Sequence, residues 1–230
     1  MDGFWYTFLS GINLANLAQA GGVLYASWAI VTGIDAWKRE FIGKRRIELA
    51  ESTLAKFFEV KDAIAFIRSP FSKNDEGSTR QRSERETAQE SEILDRGYVV
   101  VERYQKRERA FEEFNVLKYK FMASFGASHE KVFTDTMTSV NSIFSAATML
   151  AHHYWGNRNM AVLQGDAYQR HIDEMQKFER VIWDTGDSED KIRVKLADIQ
   201  SRLDEATKPC FVEQASSYAL LTKKWKWPWR

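Results

Sequence analysis

Apolar residues recur at helical spacing along the chain beyond Trp37, most clearly between Phe133 and Tyr154. Their steps there are 4, 3, 4, 3, 4 and 3, which is the period of one face of an α-helix. No charged residue occurs between Asp135 and Arg158, so we predict that this helix is the central, most buried one of a bundle. The face consists of Phe133, Met137, Val140, Phe144, Ala147, Ala151 and Tyr154, widened by Ile143 and Leu150.

The same period predicts further helices on both sides of the central one. The first of them ends near Arg68, because Ser69 precedes Pro70 and is pushed out of the α region. The last is expected to be capped by Asp187 or Ser188 and stopped by Pro209. The fold class is therefore all-α, an N-terminal transmembrane or membrane-interfacial helix followed by an antiparallel bundle of about five helices. The helices after the first are expected at about 98–125, 128–154, 163–183 and 188–208.

The segment 69–92 breaks this pattern. Apart from Phe71 it has almost no large apolar residue, and it is dense in Ser, Glu, Arg and Gln. Such a segment cannot repay its ordering entropy by burial, so we predict a long, flexible, charged loop. The predicted organisation is an anchor over 1–36, a bundle over 37–208 and a Trp/Lys-rich tail over 209–230.

The N-terminal region has no charged residue from Gly3 to Ile34, in a chain that is 28% charged. The stretch from Leu14 to Ile34 has about the ~20 residues that a helix needs to cross a bilayer. We therefore predict that it spans a membrane. Because polar residues such as Ser27 and Thr32 interrupt it, a helix that lies in the membrane interface is the alternative. The predicted anchor residues are Leu14, Leu17, Gly22, Leu24, Trp28, Ile30, Ile34 and Trp37.

A basic cluster follows the apolar stretch, whereas only Asp2 precedes it. By the positive-inside rule, a span would have its N-terminus outside and the rest of the chain in the cytoplasm. A cleaved signal peptide is the rival, since Ala18-Gln19-Ala20 resembles a cleavage site, but the positive charge lies on the wrong side. The cluster consists of Lys38, Arg39, Lys44, Arg45 and Arg46.

Small residues form a stripe along one face of the same helix, with steps of 4, 3, 4, 4, 3 and 4. In lipid, such a stripe lets two helix backbones approach closely, so it is a candidate surface for self-association. A buried helix of a soluble bundle is the alternative. The stripe consists of Gly11, Ala15, Ala18, Gly22, Ala26, Ala29 and Gly33.

Bulk composition adds little that is specific. The chain has 33 Lys and Arg against 32 Asp and Glu, so no overall field points to nucleic acid, and we expect none as a partner. One cysteine, Cys210, excludes an internal disulfide. Eight Trp are many for 230 residues.

Three of these Trp lie in the tail "KWKWPWR", which resembles the short antimicrobial peptides of the indolicidin type. The resemblance covers Lys224 to Arg230 only, is compositional and implies no activity. Indole rings prefer the lipid headgroup region and cations are drawn to anionic lipid, so the tail is predicted to contact the membrane. Packing on the bundle and binding of a partner are the alternatives. The predicted lipid-contacting residues are Lys223, Lys224, Trp225, Lys226, Trp227, Trp229 and Arg230.

Catalytic and metal motifs are not found in the sequence, which has no phosphate loop, no G-x-S-x-G, no H-E-x-x-H and no C-x-x-C. The weak candidates for a metal site are His152, His153, His171 and Glu174. We expect no cofactor and no enzymatic activity. The sequence is therefore interpreted as a membrane-anchored, cytoplasm-facing helical-bundle protein of interaction or assembly type, partnered by lipid and by itself or another protein. The alternative is a soluble scaffold or adaptor whose first helix is buried or docks on a partner.

Overall fold

Helices are the only regular secondary structure in the part of the chain that the computed structural model describes. That description covers the backbone of residues 14–73, 75–156 and 163–224, and their side chains except those of 14–16 and 213–224. Two compact units are present, residues 1–48 and 49–230, and the first helix contributes to both. The helices are α1 (Leu14–Ile67), α2 (Ala88–Gln105), α3 (Glu108–Phe125), α4 (Glu130–Met149), α5 (Asp166–Ile182) and α6 (Lys191–Lys224). A 3₁₀ turn (Ala127–His129) precedes α4 and a π-helical turn (Leu150–Tyr154) follows it.

The apolar residues that recur at helical spacing form the core of the bundle, which confirms the helices predicted from that spacing. Five phenylalanine side chains are at most 1% exposed, and Phe114 and Phe133 lie nearly parallel with centroids 4.7 Å apart. Each such burial stabilises the fold by about 1.5–3 kcal/mol. The five are Phe57, Phe111, Phe114, Phe121 and Phe133.

Helix α4 is central, as predicted, because it packs against α2, α3, α5 and α6. It is nevertheless amphipathic, with an outer face of hydroxyl and amide residues exposed to solvent. The hydroxyls of Thr138, Ser142 and Thr148 each donate to the carbonyl four residues earlier, at 2.8–2.9 Å. The lack of charge in this stretch therefore does not mean burial on all sides.

The helix predicted over 98–125 is in fact two helices, α2 and α3, separated at Lys106 and Arg107. Arg107 leaves the helical conformation at φ −122° and ψ 6°, and its guanidinium lies 5.1 Å from the centroid of the Phe66 ring. Apolar positions on either side of the break remain two helical turns apart, so the sequence pattern does not reveal it.

Pro209 does not stop the last helix, so the prediction that it does is wrong. Helix α6 continues through Pro209 to Lys224. A proline inside a helix costs about 3 kcal/mol, because it removes a backbone hydrogen bond and crowds the preceding turn. Leu203, Thr207 and Cys210 are buried at helical steps on both sides of the proline, and this burial offsets the cost.

The segment 69–87, which we call the strap, makes specific contacts with α2, and α2 begins at Ala88, inside the predicted loop. Thr87 and Glu90 form a reciprocal capping box at the start of α2. The N–H of Gly77 donates to Glu102 at 2.8 Å, and a Cβ on Gly77 would lie 2.1 Å from the carbonyl oxygen of Asp95. With φ at +89° as well, only glycine fits this contact. The strap therefore packs on α2 through specific contacts, whereas its charged composition predicted a flexible loop.

A buried ion pair joins the end of α1 to the start of α6. Arg68 and Asp190 have side chains 2% and 3% exposed, and Arg68 Nη1 donates to Asp190 at 3.0 Å. The carboxylate of Asp190 also accepts the N–H of Arg193 at 2.9 Å and so caps α6. The capping residue is thus Asp190, and the prediction of Asp187 or Ser188 is wrong. Asp187 instead accepts the N–H of Glu189.

Candidate membrane anchor and polar cleft

The predicted anchor residues are exposed along the N-terminal part of α1. One helix among the described residues is long and apolar enough to cross a membrane, and none of its most apolar window is buried. Leu14 contributes only its backbone to the description. The exposed fractions are 56% for Leu17, 71% for Leu24, 63% for Trp28 and Ile30, 47% for Ile34 and 62% for Trp37.

Two polar side chains of this apolar stretch are satisfied within the helix. Ser27 donates its hydroxyl to the carbonyl of Val23 at 2.8 Å, and Thr32 donates to that of Trp28 at 2.9 Å. In hydrocarbon an unsatisfied donor costs several kcal/mol, whereas a hydroxyl bonded to its own helix has little of that penalty. These residues interrupt the apolar pattern in sequence without leaving their hydroxyl donors free.

The predicted small-residue stripe is open along the part of α1 whose side chains are described. Ala18, Ala26 and Ala29 are exposed, and a Cβ on Gly22 or Gly33 would meet nothing within 4 Å. The backbone of Ala15 belongs to α1, and Gly11 lies outside the described residues. No residue of this chain covers the stripe within the described ranges.

The predicted basic cluster is exposed on the same helix and is accompanied by aromatic rings. Trp37 and Phe41 stack with centroids 5.6 Å apart, and the guanidinium of Arg45 lies 5.7 Å from the Phe41 ring. Both rings are about half exposed or more, at 62% and 48%. An aromatic pair beside cations is typical of a membrane–water interface. The exposed cations are Lys38, Arg39, Lys44, Arg45 and Arg46.

The predicted tail, 209–230, is helical in its backbone as far as Lys224 and lies outside the described residues beyond it. Lys223 and Lys224 form the end of α6, with only their backbone described. The five further predicted lipid-contacting residues, Trp225, Lys226, Trp227, Trp229 and Arg230, lie outside the description.

Only some of the candidate metal-binding residues lie close to one another. His152 and His153 are exposed on the π-helical turn with ring centroids 6.5 Å apart, and His171 packs against Tyr154 at 5.1 Å. Glu174 pairs with Lys177. No group of three or more His, Cys, Asp or Glu with the geometry for a metal ion occurs among the described residues.

A polar cleft of about 660 Å³ lies between the strap and α2. At its rim the Arg96 guanidinium lies 4.1 Å from the centroid of the Trp155 ring. Trp155 is held in place because its indole N–H donates to Glu179 at 2.8 Å. The lining comprises Ser72, Glu76, Ser78, Arg82, Glu86, Ala88, Ser91, Glu92, Ile93, Asp95, Arg96, Val99 and Trp155.

The π-helical turn and a glycine bring Trp155 to this rim. A Cβ on Gly97 would lie 2.7 Å from the Cβ of Ala151, so the close approach of α2 to the π-helical turn requires glycine there. A π-helical turn adds a residue to the helical repeat, and such turns are frequent at functional sites. Sequence reasoning missed this site, because 69–92 was interpreted as a flexible charged loop and a π-helical turn leaves no clear sequence pattern.

Arginines hold the acidic wall of the cleft ionised. A hydrogen bond from Arg103, itself 1% exposed, lowers the pKa of Glu76 to about 2. A hydrogen bond from Arg80 lowers the pKa of Glu86 to about 2, and Arg80 also pairs with Asp95 at 3.0 Å. The walls of the cleft are therefore cross-linked by ion pairs between the strap and α2.

No protein-family model, no curated protein and no solved structure matches this chain. What the described residues themselves show is a helical bundle and one candidate membrane-spanning helix.

Proposed function

We propose that this protein is anchored in a membrane by the N-terminal part of α1 and acts without catalysis through protein contacts of its cytoplasmic helical bundle. One observation carries the proposal. An apolar helical window long enough to span a bilayer is covered by none of the described residues. Exposed apolar surface of this extent in water would be an aggregation liability, whereas in lipid it is the expected state.

The flanks of the apolar window support an N-terminus-outside orientation. Its exposed cations all follow the window, and the positive-inside rule assigns that side to the cytoplasm. The cations of the tail would add about 1 kcal/mol each at an anionic surface. Because the anchor already holds the chain at the membrane, this second contact is intramolecular and gains in effective concentration.

Membrane extraction tests the anchor. Membranes from cells that produce the full chain are washed with alkaline carbonate, and the chain is located by immunoblotting. We expect retention in the pellet, and release when residues 1–36 are deleted. Release of the full chain would contradict the proposal and support the soluble scaffold, in which α1 docks on a partner protein.

The orientation is tested with a membrane-impermeant maleimide. In a Cys210→Ala background, Asp2→Cys is expected to react in intact cells, whereas Ser188→Cys, on the exposed turn before α6, reacts only after permeabilisation. The reverse pattern would contradict the cytoplasmic location of the bundle.

Self-association along the small-residue stripe is part of the same proposal. Gly22 and Gly33 leave open space at the helix surface, so a second copy of α1 can approach closely. In the Cys210→Ala background, Ala29→Cys is expected to form a disulfide dimer in membranes, and Leu24→Cys, on the opposite face, is the matched control. Equal cross-linking at both positions would indicate random collision instead of a specific helix pair.

A further inference from the structure

The polar cleft contains a guanidinium whose hydrogen-bond donors have no acceptor within the described part of the chain. Arg96 is exposed and donates no hydrogen bond to any described residue, and among those residues its guanidinium contacts the Trp155 ring. Arg82, the other arginine of the lining, donates to Asp95 at 2.6 Å. A guanidinium carries five N–H donors in a planar fork that matches carboxylate and phosphate oxygens.

The acids of the cleft are largely neutralised by their own arginines. Glu76 pairs with Arg103, Glu86 with Arg80, and Asp95 with both Arg80 and Arg82. Glu92, which is exposed, has no ion pair with another described residue. Among the described residues that line the cleft, the side chains whose charge has no ion-pair partner are thus Arg96 and Glu92.

We propose that the cleft binds a small ligand that bears an oxyanion, either a carboxylate or a phosphate. Arg96 binds this oxyanion through its N–H donors, and the Trp155 ring packs against the Arg96 guanidinium. The volume of about 660 Å³ lies within the range of small-molecule sites. The rim is preformed, because Glu179 fixes Trp155 and Gly97 allows the close approach that the π-helical turn needs. This site belongs to the bundle and does not depend on the membrane anchor.

Fluorine NMR of the full chain in detergent tests the proposal. The tryptophans are replaced by 5-fluorotryptophan, and the signal of residue 155 is assigned with Trp155→Phe. Sodium phosphate and sodium acetate are titrated separately, with sodium chloride matching the ionic strength. We expect a saturable shift of the Trp155 signal with at least one of the two anions, while that of Trp183, which follows α5 and does not line the cleft, stays unchanged. Saturation by phosphate alone or by acetate alone identifies which oxyanion the site prefers.

Variants with opposite expected effects sharpen the test. Arg96→Gln is expected to weaken binding at least about tenfold, since charge-assisted pairs are about twice as strong as neutral hydrogen bonds. Arg96→Lys keeps the charge without the fork and should bind with intermediate affinity. Glu92→Gln removes a negative charge that repels the anionic ligand and should tighten binding about two- to fivefold. Arg109→Gln, outside the cleft and on an 89% exposed side chain, is the matched control and should leave binding unchanged.

Three results would overturn the proposal. They are a Trp155 signal that neither anion shifts beyond the chloride control, a shift that Arg96→Gln leaves intact, and a site that tetramethylammonium saturates more tightly in Arg96→Gln than in the parent chain. The last would identify a cation site formed by Glu92. None of these outcomes bears on membrane extraction, so failure here and failure of the anchor are distinguishable.

Discussion

Replacing Asp190 by Asn removes a buried negative charge while keeping the size of the side chain. Arg68 then retains three backbone acceptors, the carbonyls of Val181, Arg180 and Trp183 at 2.8, 2.9 and 3.2 Å. Its charge has no counter-ion, however, and the amide that replaces the carboxylate would present a donor where there had been only acceptors. Asn is as good an N-cap as Asp, so the cap on Arg193 is expected to survive.

The magnitude follows from this arrangement. Removing one partner of a buried ion pair costs about 3–5 kcal/mol, and the three carbonyls that still solvate Arg68 favour the lower end. We therefore expect a loss of about 3 kcal/mol in the free energy of unfolding for Asp190→Asn. Asp190→Ala also removes the cap and should lose about 1 kcal/mol more.

Urea unfolding of the full chain in detergent, followed by circular dichroism, measures these losses. With a slope of about 3 kcal/mol per molar, Asp190→Asn should lower the midpoint by about 1 M. Glu174→Gln is the matched control, because its partner Lys177 is 68% exposed and ion pairs between solvent-exposed side chains contribute little to stability. A loss for Asp190→Asn no larger than that of the control would refute the reasoning.

Two further predictions concern the strap and the cleft. Because the folded-state pKa of Glu76 is lowered from 4.5 to about 2, its stabilising contribution is complete above pH 4.5 and is lost as the pH falls towards 2. The destabilisation caused by Glu76→Gln should therefore shrink between about pH 6 and about pH 3 in urea titrations, and an unchanged difference would contradict the ion pair with Arg103. Gly97→Ala should cost about 1–3 kcal/mol of stability by overpacking against Ala151, whereas Gly156→Ala, whose Cβ would lie 3.5 Å from Ile93, should cost much less in the same assay.

Much of the helical architecture could be predicted, because amphipathic periodicity is a local property. The face from Phe133 to Leu150 is buried or half-buried as its spacing predicts, and Ile192, Leu196 and Leu203 of α6 are buried as well. The end of α1 also follows from a local rule, the restriction that Pro70 imposes on the residue before it.

The buried arginines and the cleft were missed for one physical reason, which is pairing between residues far apart in sequence. Arg68 and Arg103 are charged residues that patterning assigns to the surface, yet both are almost completely buried by partners on other elements. Arg103 alone donates to the carbonyls of Ile67, Ser69 and Phe71 at 2.6–3.2 Å. No local signal distinguishes such an arginine from a solvated one. The cleft was missed for the same reason, since ion pairs such as that of Arg103 with Glu76 join its walls.

The ion pair of Arg68 and Asp190 can form only late in the synthesis of the chain. The two residues are 122 positions apart, so at about 5–20 residues per second Asp190 is added about 6–24 s after Arg68. Until Asp190 is made, the Arg68 guanidinium lacks its counter-ion and the end of α1 lacks its partner at the start of α6. The apolar faces of α2, α3 and α4 are synthesised before α6 is available to cover them. During this period the nascent chain is therefore most prone to non-native contacts.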